Sequence, residues 1–311
     1  MAETTAHTKY LDPVALARLK NLGLAARLVV DGLYTGQHRS PRKGFSVEFA
    51  EHRQYTPGVD PRHLDWKILA KRDRLYVKQY EEQTNLRATI VLDASASMRY
   101  QHGAGLSKFE YARFCAATLA YLMMSQHDAF GLVVCGADET GVPPRQGRAH
   151  LNQVLGKLEE AEAAGETGLA GSLHRLAGTM KRRGLVILLS DLLGVELDED
   201  GRPAVLMDAL AHFRHRKHEL VVMQVLDPSE LRFPFRDAGQ IEDMETGRAI
   251  EADAEAIRDH YLERIAAYIE GVRRDCQRRD IGYALAETSE PVELFLGTYL
   301  TRRQHLHAAK S

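Results

Sequence analysis

Short apolar runs alternate with stretches of helical periodicity along most of this chain. Residues 88–92, apolar except for Thr89, and residues 185–189 are the clearest runs, and the first ends at an aspartate and the second at a serine. Continuous apolar runs are typical of parallel strands that are covered on both faces. Between them, large apolar residues recur every three or four positions, as in helices that pack on a sheet. From residue 86 onward the pattern predicts an α/β fold, a doubly wound, mostly parallel sheet with helices on both faces.

The first 85 residues have a different character. They open with a helical pattern from Leu11 to Leu24, and residues 34–66 are then rich in Gly, Pro, Arg and aromatic residues, which predicts irregular or short-stranded structure. Residues 1–85 contain too few periodic apolar positions for a core of their own, so we expect an N-terminal extension that packs on a core domain of residues 86–311. Within that core domain, residues 227–251 interrupt the alternation and predict a hairpin insertion.

Composition and charge exclude several classes of protein. The 311 residues include 41 Lys and Arg against 43 Asp and Glu, a net charge of −2, which disfavours nucleic-acid binding through a whole-domain field. No apolar stretch approaches the roughly 20 residues of a membrane span, and the N-terminus lacks the features of a secretory signal. We therefore expect a cytoplasmic protein. Three sparse cysteines lie among apolar neighbours and are expected to be reduced core residues.

Oxygen-bearing side chains are concentrated at the predicted carboxyl ends of the strands. Asp93, Ser95 and Ser97 follow the first core strand, Asp191 follows the most apolar later strand, and Thr167 precedes a predicted helix. In doubly wound sheets the strand ends converge on one ligand site. Carboxylate and hydroxyl oxygens suit hard cations. We therefore expect these five residues to bind one Mg²⁺ or Mn²⁺, although each hydroxyl alone could equally cap a helix or a turn.

The five residues resemble the metal-ion-dependent adhesion site of von Willebrand factor A-type domains. That motif has the form Asp-x-Ser-x-Ser, then a distant Thr, then a distant Asp, and the resemblance covers about residues 86–305. It implies a von Willebrand factor A-like fold with the metal at the point where the strand order reverses. It also implies a protein-binding role in which the metal accepts an acidic side chain of a partner.

The preceding region resembles the domain-of-unknown-function family 58. Residues 36–40, 44–49 and 53–66 run in the order of that family's signature, ahead of the Asp-Ala-Ser-Ala-Ser-Met loop that ends at Met98. Val59 departs from the family pattern, in which many members have an aspartate. The resemblance implies pairing with MoxR-type AAA+ ATPases in systems that remodel, assemble or activate other proteins. We expect possible partner contacts from six residues of this region: Arg53, Tyr55, Asp60, Arg62, Asp65 and Trp66.

The remaining motifs favour no enzyme. The chain has no phosphate-binding loop, no Gly-x-Ser-x-Gly elbow and no His-Glu-x-x-His, and Ser95 stands where a haloacid dehalogenase needs its second aspartate. The histidines at 212, 215 and 218 alternate with cationic residues, which predicts a solvated helix end rather than a metal site. The basic run at 181–183 follows a helix, where cations offset the negative end of the helix dipole.

Three functions remain open on this evidence. The first is a non-enzymatic, metal-dependent adaptor or scaffold that works with a MoxR-type ATPase, an acidic client, or both. The alternative is a hydrolase that uses the same cation to activate water, with Glu166 or His102 as the nearby candidate bases. The third is a metal-free module with structural contacts alone.

Overall fold

The structure is a computed structural model that describes residues 22–37, 53–54, 76–77, 86–136, 138–165, 168–193, 198, 203–242, 244 and 249–310. The chain forms two compact units. One comprises Met1–Gln37 and Leu86–Ser311, and the other comprises His38–Asn85. In the smaller unit, strands β1 (Arg53–Gln54) and β2 (Tyr76–Val77) pair antiparallel.

A six-stranded sheet forms the centre of the larger unit. Its strands lie in the order β10-β7-β6-β3-β4-β5, and all neighbours are parallel except β4 and β5. This order is the doubly wound arrangement, in which the chain starts in the middle of the sheet and reverses direction there. The strands are β3 (Arg87–Asp93), β4 (Ala129–Cys135), β5 (Thr140–Arg145), β6 (Leu185–Ser190), β7 (Glu219–Leu226) and β10 (Gly282–Glu287).

Helices cover both faces of this sheet. Strand side chains alternate between them, so Ile90 and Leu92 of β3 contribute to one buried core and Val91 contributes to the other. On the first face lie α1 (Leu22–Gln37), α2 (Lys108–Ser125), α3 (Arg148–Glu160) and α8 (Val292–Lys310), and on the second lie α4 (Leu169–Thr179), α5 (Ala204–His215) and α7 (Ala254–Arg278). The doubly wound α/β fold with helices on both faces, predicted from the sequence, is confirmed.

Two details differ from the sequence interpretation. Strand β5 was not predicted, because Gly141 and two prolines interrupt its sequence. It is an edge strand, where proline is tolerated since one side needs no hydrogen bonds. Helix α1 continues to Gln37, four residues into the stretch that we predict to be irregular. It packs on the first face of the sheet, with Ala26 and Val29 fully buried.

The region that interrupts the strand-helix alternation begins with the short helix α6 (Pro228–Arg232). A hairpin of β8 (Ala238–Glu242) and β9 (Ala249–Asp253) follows it. The three cysteines are buried, as predicted. Among the described residues, no helix combines the length and the apolar content that a membrane span needs.

A close backbone contact fixes strand β6 against β3. A Cβ atom at Gly184 would lie 2.3 Å from the carbonyl oxygen of Arg87, so any larger residue must push the two strands apart. We expect Gly184→Ala to lower the free energy of unfolding by about 1–3 kcal/mol in urea denaturation. Gly156→Ala is the matched control, since it lies in α3 with open space around it and should be stabilising by about 0.5–1 kcal/mol. Equal stability of the two variants would contradict the close contact.

Candidate metal centre

The register of two central strands brings the first two acidic candidates to one edge of the sheet. Leu92 of β3 pairs with Leu189 of β6, so Asp93 lies beside Ser190, and Asp191 follows directly. The Ser190 hydroxyl donates to Asp93 Oδ2 at 2.6 Å. Asp93 is 2% exposed and Asp191 is fully buried. The sheet thus brings together two carboxylates that are 98 residues apart in the sequence.

The turn after β3 places the two candidate serines next to each other. The backbone N–H of Ser95 donates to Asp93 Oδ1 at 3.0 Å, and a 3₁₀ turn, Ala96–Arg99, follows. The hydroxyl groups of Ser95 and Ser97 form a hydrogen bond with each other, with their oxygens 3.0 Å apart. Two adjacent ligands of an octahedral Mg²⁺, each at about 2.1 Å, would be separated by about 3.0 Å, because a right angle at the metal sets that distance. The serine spacing therefore fits two neighbouring positions of one hard cation.

The loop that leads to Thr167 is bonded to this same turn. Ala96 N–H donates to the carbonyl oxygen of Gly165 at 2.9 Å, and Ala164 N–H donates to the carbonyl oxygen of Ala94 at 2.9 Å. Thr167 itself lies outside the described residues, as does Glu166. The fifth ligand therefore stays a prediction.

The site also contains a lysine that the sequence analysis missed. Lys108 Nζ lies 2.7 Å from Asp191 Oδ2 and 2.6 Å from Glu230 Oε1, and its side chain is only 1% exposed. Burial alone would lower the pKa of Lys108, but the two carboxylates more than offset burial and raise that pKa. The ammonium group is therefore a permanent internal cation next to a candidate metal ligand.

Local helix signals place both partners of this ion pair. Lys108 is the first residue of α2, directly after the N-cap Ser107, which forms a capping box with Glu110. Glu230 belongs to a second capping box at the start of α6, in which its side chain accepts from the N–H of Asp227 at 2.8 Å. A lysine at a helix N-terminus opposes the helix dipole. A positive charge at this unfavourable position is the sequence signal that Lys108 has a role other than stabilising the helix end.

Three carboxyl groups and one lysine make up this cluster. Asp93, Asp191 and Glu230 supply the carboxyl groups, and Lys108 is ion-paired with the last two. Burial and the nearby Asp191 raise the pKa of Asp93 to about 6, so its ionised form is costly. A divalent cation next to Asp93 would favour the ionised form, and the oxygen donors of the site fit Mg²⁺ or Mn²⁺.

Carboxylates alone do not form this centre. Within the part of the chain that the structure describes, no group of three or more His, Cys, Asp or Glu side chains is arranged to bind a metal. A cation at this edge would therefore depend on the serine hydroxyls. His102, one candidate base for a hydrolase, is exposed, and its ring packs edge-on against Phe235 at 5.1 Å.

The other residues that the sequence analysis selected lie elsewhere. The three histidines differ in environment, since His212 is half-buried, His215 is exposed and His218 is 1% exposed. The prediction of a solvated helix end is therefore wrong for His218, which the chain buries as it turns into β7. The possible partner contacts at Tyr55, Asp60, Arg62, Asp65 and Trp66 lie outside the described residues, and only the strand position of Arg53 is described.

Solved structures with low sequence identity share part of this fold. The conserved hypothetical protein BatB from Bacteroides thetaiotaomicron is 17% identical, with a TM-score of 0.45 over 73% of this chain and 100% of that chain. A von Willebrand factor type A protein from Catenulispora acidiphila is 19% identical, with a TM-score of 0.34 over 58% of this chain and 42% of that chain.

Sequence comparison gives a firmer assignment. The uncharacterized protein Rv1480 from Mycobacterium tuberculosis is 31% identical over 270 residues, which cover 85% of this chain and 81% of that protein. The uncharacterized protein Mb1516 from Mycobacterium bovis matches to the same extent. The family model described as protein of unknown function DUF58 matches residues 51–270, more than two thirds of the chain. The chain therefore belongs to the DUF58 family.

Proposed function

We propose that this protein is a non-enzymatic, metal-dependent adaptor that binds other proteins at the carboxyl ends of its central strands, where Asp93 lies. The observation that supports this proposal most strongly is the convergence of two buried carboxylates, Asp93 and Asp191, with the hydrogen-bonded hydroxyl pair of Ser95 and Ser97 at the carboxyl ends of two neighbouring strands. In this proposal Asp93, Ser95, Ser97, Thr167 and Asp191 hold Mg²⁺ or Mn²⁺. The protein acts in the cytoplasm.

The donor set favours binding over catalysis. Neutral hydroxyl ligands leave the cation electrophilic, and a bound cation would supply a coordination position that an outside carboxylate oxygen can fill. Asp191, which interacts with Asp93, is engaged in an ion-paired cluster with Lys108 and Glu230. None of these three is free to act as the general base of a hydrolase.

The proposed partner is a MoxR-type AAA+ ATPase, or a client protein that it receives, which offers an acidic side chain. This part of the proposal rests on the resemblance of the chain to its family. A partner carboxylate that is bound to the metal in a desolvated interface would be a strong, charge-assisted contact, and its loss would cost about 2–5 kcal/mol.

Calorimetry of the full chain with a purified, nucleotide-free MoxR-type ATPase tests this proposal. We expect affinity in Mg²⁺ to fall by tens- to thousands-fold in chelator and to fall similarly in Ser95→Ala. Ser125→Ala removes an exposed hydroxyl from the end of α2 and should leave the affinity unchanged. Binding at full strength in chelator would show that the cation is not the docking element, and the interface would then lie elsewhere, with residues 53–66 the next candidate.

A further inference from the structure

A basic pocket lies at the opposite edge of the sheet from Asp93. It is a cavity of about 280 Å³, lined by residues 180–183 and 215–218. The first segment connects α4 to β6 and the second connects α5 to β7, so both lie at the amino ends of neighbouring parallel strands. The pocket is therefore separate from the candidate metal centre.

The pocket carries far more positive charge than its helix ends require. Its lining includes five permanent cations and two histidines, and none of its eight residues is acidic. Two helix C-termini contribute roughly half a negative charge each, about one charge in total, which one lysine would offset. Two acidic residues near the second segment are paired with arginines outside the lining: Glu219, the next residue in the chain, bonds to Arg303, and Asp280 bonds to Arg214. The excess is notable in a chain with a net charge of −2.

One lining residue of the pocket is a buried histidine with an unpartnered ring nitrogen. His218 is 1% exposed, and its Nδ1 atom has no hydrogen-bond partner among the described residues, as is also the case for Nδ1 of His150 and His212 outside the lining. Burial and the neighbouring Arg216 and His212 lower the pKa of His218, and no carboxylate counteracts them. A buried polar atom without a partner is costly and calls for an explanation. An anion in the pocket would place negative charge beside this histidine and the five cations of the lining.

The backbone holds both segments in place. Gly184, which follows the first segment, is pressed against the carbonyl oxygen of Arg87, and its own carbonyl oxygen accepts from the N–H of Glu219 at 3.0 Å. Lys217 adopts a left-handed conformation with φ of +64°, and its N–H donates to the carbonyl oxygen of Arg214 at 2.9 Å. The Arg216 side chain donates to the carbonyl oxygen of Met180 at 3.4 Å and so connects the two segments. These contacts fix the backbone of both segments, from which the exposed lysine and arginine side chains extend.

We infer that this basic pocket binds a compact oligophosphate anion, either inorganic pyrophosphate or the phosphate groups of a nucleoside diphosphate. The cavity volume of about 280 Å³ leaves more space than one phosphate group needs. Arginine and lysine side chains are the usual ligands of phosphoryl oxygens. Met180 is the one apolar residue of the lining, so the pocket offers little to an apolar peptide or to lipid chains.

Titration calorimetry of the full chain with pyrophosphate and with ADP tests this inference. The buffer contains EDTA, so that no cation at the Asp93 edge can bind the phosphates. We expect saturable binding of one pyrophosphate per chain, at least about tenfold weaker in Arg182→Gln/Arg183→Gln and unchanged in Asp93→Ala. Equal affinity for pyrophosphate and ADP would show that the pocket recognises the phosphate groups alone, whereas tighter binding of ADP would show that it also recognises the nucleoside.

A matched control distinguishes this pocket from general ionic attraction. Arg273→Gln/Arg274→Gln removes the same charge from exposed positions on α7 and should leave pyrophosphate binding unchanged. In the wild-type protein, the imidazole NMR signals of His218 should shift on titration, whereas those of the remote His260 should not. Absence of binding, or equal weakening in both double variants, would overturn the inference. So would binding to acidic phospholipid vesicles without binding to pyrophosphate. Each of these results is independent of the metal-dependent adaptor function.

Discussion

Asp93→Asn is expected to make the metal-free protein more stable at neutral pH. The pKa of Asp93 is about 6 in the folded protein, against an ordinary value of 3.8, because burial and Asp191 penalise its ionised form. The folded state therefore binds the proton more tightly than the unfolded state does. The contribution of the protonated Asp93 side chain to stability is fully present below about pH 4 and is lost as the pH rises through about 6. At about pH 7.5 the neutral amide should gain about 2–3 kcal/mol in urea denaturation with EDTA, since one pKa unit is worth 1.36 kcal/mol.

When Mg²⁺ is added, Asp93→Asn should become less stable than the wild-type protein. Ligand binding stabilises the native wild-type protein by about 4.1 kcal/mol at a concentration one thousand times Kd, which exceeds the roughly 2–3 kcal/mol advantage of the amide in EDTA, whereas Asp93→Asn should gain nothing. Asp208→Asn, at a side chain that is 74% exposed, is the control and should change the stability by less than about 0.5 kcal/mol. The account of this site would be contradicted if Asp93→Asn were less stable than wild type in EDTA and gained as much from Mg²⁺.

Lys108→Met is expected to be among the most destabilising single substitutions in the chain. Methionine fits the volume of the lysine stem but leaves Asp191 and Glu230 buried without their counter-charge. Breaking a buried ion pair from one side costs about 3–5 kcal/mol, measurable in EDTA by urea denaturation. The stabilisation that Mg²⁺ provides should then be larger than in the wild type, because a divalent cation would be the remaining counter-charge of Asp191.

Lys157→Met is the matched control for this prediction. Lys157 forms an exposed pair with Glu160 at 3.3 Å on helix α3, and its loss should cost less than about 0.5 kcal/mol. If the two lysine variants proved equally stable, Lys108 would not be the internal cation of this cluster. If Lys108→Met were destabilised but indifferent to Mg²⁺, the ion pair would be structural and independent of metal binding.

The sheet could be predicted from the sequence wherever local pattern and tertiary environment agree. Strands β3 and β6 are continuously apolar because both of their faces are covered, and this burial is the property that their sequences display. Strand β5 lacks the pattern, since Pro143 and Pro144 occupy an edge where backbone pairing, not burial, defines the strand. Strand β5 forms because it pairs with β4, and no local sequence pattern shows that pairing.

Only some residues of the candidate site could be predicted from the sequence. Asp93, Ser95 and Ser97 share one short loop, and Asp191 ends an obvious strand, so strand order alone brings them together. Lys108 and Glu230 are 122 residues apart and lie on helices whose starts look like ordinary capped termini. Only the three-dimensional packing of α2 and α6 shows that the two side chains meet at Asp191.

The most direct test of the metal centre is X-ray diffraction from crystals of the full chain soaked in Mn²⁺, with anomalous difference maps to locate the ion. We expect one strong peak per chain, within about 2.5 Å of the hydroxyl oxygens of both Ser95 and Ser97, and no peak in Asp93→Ala crystals. The absence of a peak next to Ser95 and Ser97 in wild-type crystals, or a peak that persists unchanged in Asp93→Ala crystals, would contradict the account.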